Sequence, residues 1–247
     1  MTNREHKNTH PWITFSVNLD RIPVGSWVLL GQSLAQCKRI TNVPLLPSAA
    51  DELHVLYLAK GIAATTAIEG NTLSEEEVAR LIKGTLTLPP SKEYLGREVD
   101  NILQAANEIL DELEHDMMPL ITVDRLMKMD QMVLKGLALD SDVRAGQIRN
   151  HSVVVGRYRG APAQYSEYLL TRLCEWLTSP DLQQSALGPV GPAILRAIIA
   201  HIYLAWIHPF GDGNGRVARL LEFQIMVSSG VSSLASHLLS NHYNETR

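Results

Sequence analysis

Apolar residues recur at three- and four-residue intervals along most of this 247-residue chain, a spacing that predicts helices rather than strands. Between Ser48 and Gly70, Leu53, Leu56, Tyr57 and Ala64 fall at helical spacings, and Gly70-Asn71 ends the run. A second helix is expected at once, with Thr72 or Ser74 as its cap and Glu75 or Glu77 three positions on to complete a capping box. From Arg97 to Asp116 the pattern runs through Val99, Ile102, Leu103, Ala106, Ile109, Leu110 and Leu113. Further helices are expected at 122–138, 165–178, 192–207 and 215–228. Residues 87–92 and 179–192 read as connections, neither long enough for an interdomain linker. The exception is Gln147–Gly160. Its β-branched run Val153-Val154-Val155 meets Gly156 and predicts a short strand or hairpin on a helical body. Residues 1–45 are less periodic and are expected to wrap that body as an N-terminal extension.

Composition narrows the class. Hydrophobic residues make up 45% and charged residues 19%, the balance of a folded globular chain. With a net charge of −4 there is no basic field to recruit nucleic acid or an acidic membrane, so neither is an expected partner. Cys37 and Cys174 lie too far apart for a CxxC site and read as structural thiols in a reducing compartment. The N-terminal residues are polar where a secretory signal would be apolar. The apolar stretch 193–207 is interrupted by Arg196 and His201, so no membrane span is expected and the cytoplasm is the expected location.

The chemistry concentrates in HPFGDGNGRVAR, residues 208–219. Ile194, Ile198, Ile199, Ile202, Tyr203 and Trp206 mark a helix before it, which Pro209 should end at His208. Val217, Leu220, Leu221 and Ile225 mark a helix after it. The backbone amides of Gly213, Asn214 and Gly215 are thus placed at a helix start, where they can converge on an anion. Arg216 and Arg219 share one face of that helix and can reach the same anion, which suggests a polyphosphate rather than a carboxylate. His208 can act as a general base, and Asp212 is the carboxylate expected to ligate Mg²⁺ beside bound phosphates. A dinucleotide fingerprint would need a preceding strand, and a Walker loop would need a GK[ST] ending. Counting from Asp212, an EF-hand would place its acidic twelfth ligand at Phe223. All three are excluded.

This segment resembles the HxFx[DE]GNGRxxR motif of the Fic family at every fixed position. The resemblance implies a mainly α Fic-type helical bundle with a short β-hairpin flap. It further implies a protein adenylyltransferase (a nucleotidyltransferase that carries out AMPylation), moving AMP from Mg-ATP to a Tyr, Ser or Thr hydroxyl of a target protein. In that reading His208 deprotonates the acceptor and Asp212 holds Mg²⁺. Gly213, Asn214 and Gly215 form the anion hole, with the Asn214 side chain near the α-phosphate. Arg216 contacts the β-phosphate side, Arg219 reaches the γ-phosphate, and Phe210 anchors the loop in the core. TTAIEGN resembles the family's inhibitory motif through Thr65, Glu69 and Gly70, in the group whose inhibitory helix lies N-terminal to the catalytic motif. Glu69 would compete with the γ-phosphate for Arg219. AGQIRNHSVVVG resembles the flap, with Val153, Val154, Val155 and Gly156 docking a target segment as an added strand. The implied domain spans 46–247, with the inhibitory helix around 50–70 and the catalytic core at about 95–245. Self-association is common in the family, so a homodimer is a further expectation.

Several alternatives stay open on the sequence. Glu69 could position water for removal of AMP, or the site could be a nucleotide-binding module with vestigial catalysis. Arg219 could pair with Glu222 on its own helix, Gly70 could be only a C-cap, and His201, His208 and Asp212 could ligate zinc. Tyr158, Trp176 and Tyr243 have no assigned role.

Overall fold

The computed structural model describes residues 6–41, 46–115, 117, 120–182 and 190–246. Among them are ten helices: α1 (His6–Thr9), α2 (Val24–Thr41), α3 (Pro47–Ile68), α4 (Glu75–Ile82), α5 (Glu93–Glu114), α6 (Val123–Val133), α7 (Ser166–Leu177), α8 (Val190–Ile207), α9 (Asn214–Ser228) and α10 (Ser233–Thr246). A two-stranded antiparallel hairpin, β1 (Val154–Val155) and β2 (Tyr158–Arg159), pairs Val154 with Arg159 and Val155 with Tyr158. No helix among the described residues is long and apolar enough to cross a membrane.

Local chemistry explains the boundaries. Ser74 caps α4 in a full capping box: its hydroxyl accepts from the Glu77 amide while the Glu77 carboxylate accepts from the Ser74 amide. Helix α6 stops at Val133, short of the 138 that periodicity predicts, because Gly136 turns the chain at φ +68°. The Asn101 side chain donates to the carbonyls of Val133 and Lys135, satisfying acceptors that the ended helix leaves open. Helix α2 occupies a stretch in which periodicity predicts no helix. Trp27, Leu30, Leu34 and Cys37 are half-buried along one face of it, while Val24, Val28 and Leu29 are exposed on the others. The 179–192 connection contains a 3₁₀ turn at Pro180–Leu182 and already enters α8 at Val190, while residues 183–189 lie outside the described residues.

Helix α9 lies at the centre, packed against α8, α10, α6, α5 and α3. Thirteen of its residues are buried, and they include Arg216, Arg219, Glu222 and Gln224. A helix surrounded on all sides is normally apolar all round. Buried charge costs several kcal/mol per ion unless it is paired, so the partners of these residues define where the fold does more than pack. Behind α9, α3 and α10 lie in close contact: a Cβ at Gly61 would fall 2.7 Å from the Cβ of His237.

Candidate active site

Helix α8 ends as Pro209 dictates. His208 adopts φ +50°, a left-handed conformation that side chains rarely take. The loop that follows is closed by Asn214, whose side-chain oxygen accepts from the Phe210 amide (2.9 Å) and whose amide nitrogen donates to the Phe210 carbonyl (2.8 Å). Phe210 is fully buried. The Asn214 side chain thus folds the loop back on itself at a residue that also lines the cleft. Gly213 enters α9 at φ +77°, and its amide donates to Asp212 Oδ1. Anion-binding capacity thus falls on the first-turn amides that follow it, which have no partner within a helix.

Both arginines are engaged. Arg216 donates to Asp212 Oδ1 (2.9 Å) and lies 3.9 Å from Glu98. Arg219, 6% exposed, donates to Glu69 Oε1 (2.6 Å) and to the Thr65 carbonyl (3.1 Å). Thr65 contributes here through its backbone, Glu69 is the C-cap of α3, and Gly70 at φ +100° turns the chain away after it. Glu69 Oε1 also sits against Gly215, in the space a Cβ there would fill. The carboxylate thus occupies the N-terminus of α9, the place suited to an anion. Burial pulls the Arg219 guanidinium down from its ordinary value, opposed mainly by Glu69. Glu222 does not pair with Arg219: it meets His201 Nδ1 (3.0 Å) and the Tyr243 hydroxyl (2.8 Å).

His208 Nδ1 faces the Ala205 carbonyl at 3.4 Å, so that nitrogen is the donor and Nε2 keeps its lone pair. Burial lowers the imidazole's pKa, helped by the charge of Arg149 and opposed by Ala205, Glu69 and Asp212. A neutral imidazole with a free Nε2 is what a general base requires near neutral pH. Arg149 was not singled out by the sequence. It is buried and donates to the carbonyls of His208 (2.6 Å), His151 (2.5 Å), Ala161 (2.5 Å) and Ile207 (3.3 Å). It ties the strained histidine to both ends of the hairpin. Asp130 on α6 was equally silent. Fully buried, it accepts from the Gly146 amide (2.7 Å), and its other oxygen lies 2.8 Å from where a Cβ on Gly213 would stand. Burial raises its pKa to about 7.

A cleft of about 620 Å³ is lined by Glu69, Val153–Val155, His208, Asp212, Gly215 and Arg219. Val153 extends the hairpin without belonging to β1: its carbonyl accepts from Gly160, while Gly156 takes the tight turn at φ +57°. Asp212 is about half exposed, and both of its protein bonds fall on Oδ1. One open carboxylate oxygen beside a phosphate site is a donor set that fits Mg²⁺, which takes few protein ligands and completes its shell with phosphate and water. Among the described residues no cluster of three or more histidine, cysteine or acidic side chains could hold a metal, so His201, His208 and Asp212 make no zinc site.

Residues 120–226 match the Fic/DOC family. The chain carries a Fic domain. Protein adenylyltransferase fic-1 of Caenorhabditis elegans is 36% identical to it over 182 residues, covering 72% of this chain and 33% of that protein. Protein adenylyltransferase Fic of Nematostella vectensis is 29% identical over 181 residues, covering 72% and 39%. A solved structure of C. elegans Fic-1 superimposes with a TM-score of 0.63 at 28% identity, covering 85% of this chain and 60% of that one. The chain spans about a third of the length of the curated relatives it matches. The hairpin and the 208–219 loop lie within the matched Fic residues, while Ile68 and Glu69 of the cleft precede them.

Proposed function

We propose that this Fic domain transfers AMP from ATP to a hydroxyl side chain of a protein and that its own Glu69 restrains the reaction. The observation that carries the reading is the Glu69 carboxylate at the N-terminus of α9, bonded to Arg219 and seated against Gly215. A carboxylate in that position uses the contacts a terminal phosphate would need. In the released state, Arg219 and Arg216 hold the outer phosphates, and the first-turn amides of α9 steady the charge that develops at the α-phosphate. His208 Nε2 takes the proton of the acceptor hydroxyl as its oxygen bonds to the α-phosphorus. The bond from that phosphorus to the bridging oxygen breaks, and pyrophosphate leaves with the electron pair. Asp212 would hold Mg²⁺, which when bound neutralises phosphate charge. The target segment docks on the free edge of β1, which borders the cleft.

A charge-assisted hydrogen bond contributes about 1.5–3 kcal/mol, so removing Glu69 should strengthen productive ATP binding roughly ten- to a hundredfold. Labelling with α-phosphate-labelled ATP is expected to be weak for the parent protein, strong for Glu69→Gly and absent for Glu69→Gly/His208→Ala. Persistent labelling in the double variant would overturn the mechanism. Binding of nucleotide without turnover, even in Glu69→Gly, would reduce the domain to a nucleotide-binding module.

A further inference from the structure

The hairpin has two edges, and they are treated differently. Gly160 donates to the Val153 carbonyl, which makes 153 and 160 a hydrogen-bonded pair of the antiparallel ladder. Val154 and Arg159, the next pair, are therefore non-hydrogen-bonded, and their backbone groups point outward from the hairpin. The outward groups of Val154 lie on the strand that borders the cleft. Those of Arg159 lie on the opposite edge, where the Arg159 carbonyl accepts from His10 Nε2 at 2.9 Å.

His10 is 5% exposed and belongs to an N-terminal strap, residues 6–15, that runs along the outside of β2. The strap is anchored beyond the hairpin. Ile13 enters the core, the Phe15 amide donates to the Tyr203 hydroxyl (3.1 Å), and the Phe15 ring meets Tyr203 at 5.3 Å and Trp176 at 6.1 Å. On the hairpin side, the His10 ring stands edge-on to Tyr158 at 6.0 Å, and the Tyr158 hydroxyl donates to the Trp206 carbonyl (2.8 Å), one step before the strained end of α8. A two-stranded hairpin alone is marginal in water. Here β2 is backed by the strap from outside and by α8 from beneath, while among the described residues no backbone hydrogen bond reaches the outward groups of Val154 on β1.

We infer that the strap is a brace that fixes the flap as a one-sided template, with His10 as a positioning residue for the acceptor segment. The inference rests on the docking role proposed for β1. By occupying the β2 edge, His10 leaves β1 as the edge for an added strand, on the cleft that His208 also lines. Holding β2 still also removes much of the ordering cost that a loose hairpin would impose on the incoming segment.

Hydrogen–deuterium exchange on the full chain tests the brace directly. His10→Ala should speed exchange of the 153–161 amides about tenfold, and His10→Gln, whose terminal amide can replace the Nε2 donor, should restore protection. Unchanged exchange in His10→Ala overturns the inference. The functional arm uses the Glu69→Gly background with unfolded casein, whose extended segments carry serine, threonine and tyrosine, as acceptor. His10→Ala should raise the KM for casein about tenfold and leave the Kd for Mg-ATP and the release of AMP to water within twofold, because the strap touches no phosphate-binding group. Val154→Pro deletes the outward amide of β1 and tests the docking reading separately. If Val154→Pro leaves transfer to casein intact, docking on β1 fails. If Val154→Pro abolishes transfer while His10→Ala leaves KM unchanged, docking stands and the brace fails.

Discussion

A guanidinium facing four carbonyl oxygens, as at Arg149, is placed by backbone rather than by charge. That is why nothing in the sequence announced it. Carbonyl acceptors belong to every residue and leave no pattern, whereas the twelve residues from His208 carry their chemistry in their side chains. The same reasoning separates Glu69, legible through its spacing from Thr65 and the glycine after it, from Asp130, whose partners are an amide and an absent Cβ. It also explains a contact that the motif did not announce: the side-chain fork of Asn214 matches the two backbone groups of Phe210. We expect Arg149→Met, on the Glu69→Gly background, to slow transfer ten- to a hundredfold with ATP affinity held within twofold. The acid limb of its pH–rate profile should move up, because the arginine's charge helps burial to hold His208 below its ordinary pKa. A profile that falls uniformly without shifting would mean that Arg149 acts on geometry alone.

Helices with one apolar face were read correctly in place, and their errors fall at ends set by single residues, as Gly136 does for α6. Helix α2 escaped because exposed Val24, Val28 and Leu29 mask its half-buried stripe of Trp27, Leu30, Leu34 and Cys37. Between α3 and α10 the packing depends on one imidazole. His237 stacks on Phe223 at 4.5 Å between ring centroids, and burial together with nearby His54 lowers its pKa to about 4. An unfolded histidine titrates near ~6.5. Between those values the unfolded chain binds a proton that the folded chain refuses, so stability is full above pH ~6.5 and falls as pH drops toward 4. Urea denaturation at pH 5 should show a loss of about 2 kcal/mol against pH 7.5 from this group, and His237→Leu should flatten the difference. Gly61→Ala places a methyl against the same backbone and should destabilise by about 1–3 kcal/mol at any pH.

Taken whole, the molecule assembles its cleft from distant segments: the turn after α3, the hairpin, the end of α8 and the start of α9. Each segment was visible in the sequence, but the meeting of Glu69 with Arg219 was legible only through the family resemblance, because pairing of residues 150 positions apart follows from packing around α9 and leaves no local pattern. On the proposed function, the arrangement couples nucleotide binding to global stability. At Mg-ATP near a hundred times its Kd, the Glu69→Gly protein should gain about 2.7 kcal/mol, a rise in Tm of roughly 5–10 °C. The parent protein should gain much less at the same concentration, since ATP must first displace a carboxylate from Arg219. Equal shifts in a thermal denaturation assay would show that Glu69 does not contest the nucleotide.

Gly215 gives the restraint an unusual durability. The space left by its missing side chain is filled by the Glu69 carboxylate, and the amides of the same helix turn are those proposed to face the nucleotide. A methyl group at 215 would expel the inhibitor and crowd the substrate in one stroke. On the proposed function, a substitution on that side cannot yield an active enzyme. Heritable release has to begin on α3 or its turn, where Glu69 can be lost while the phosphate site stays whole.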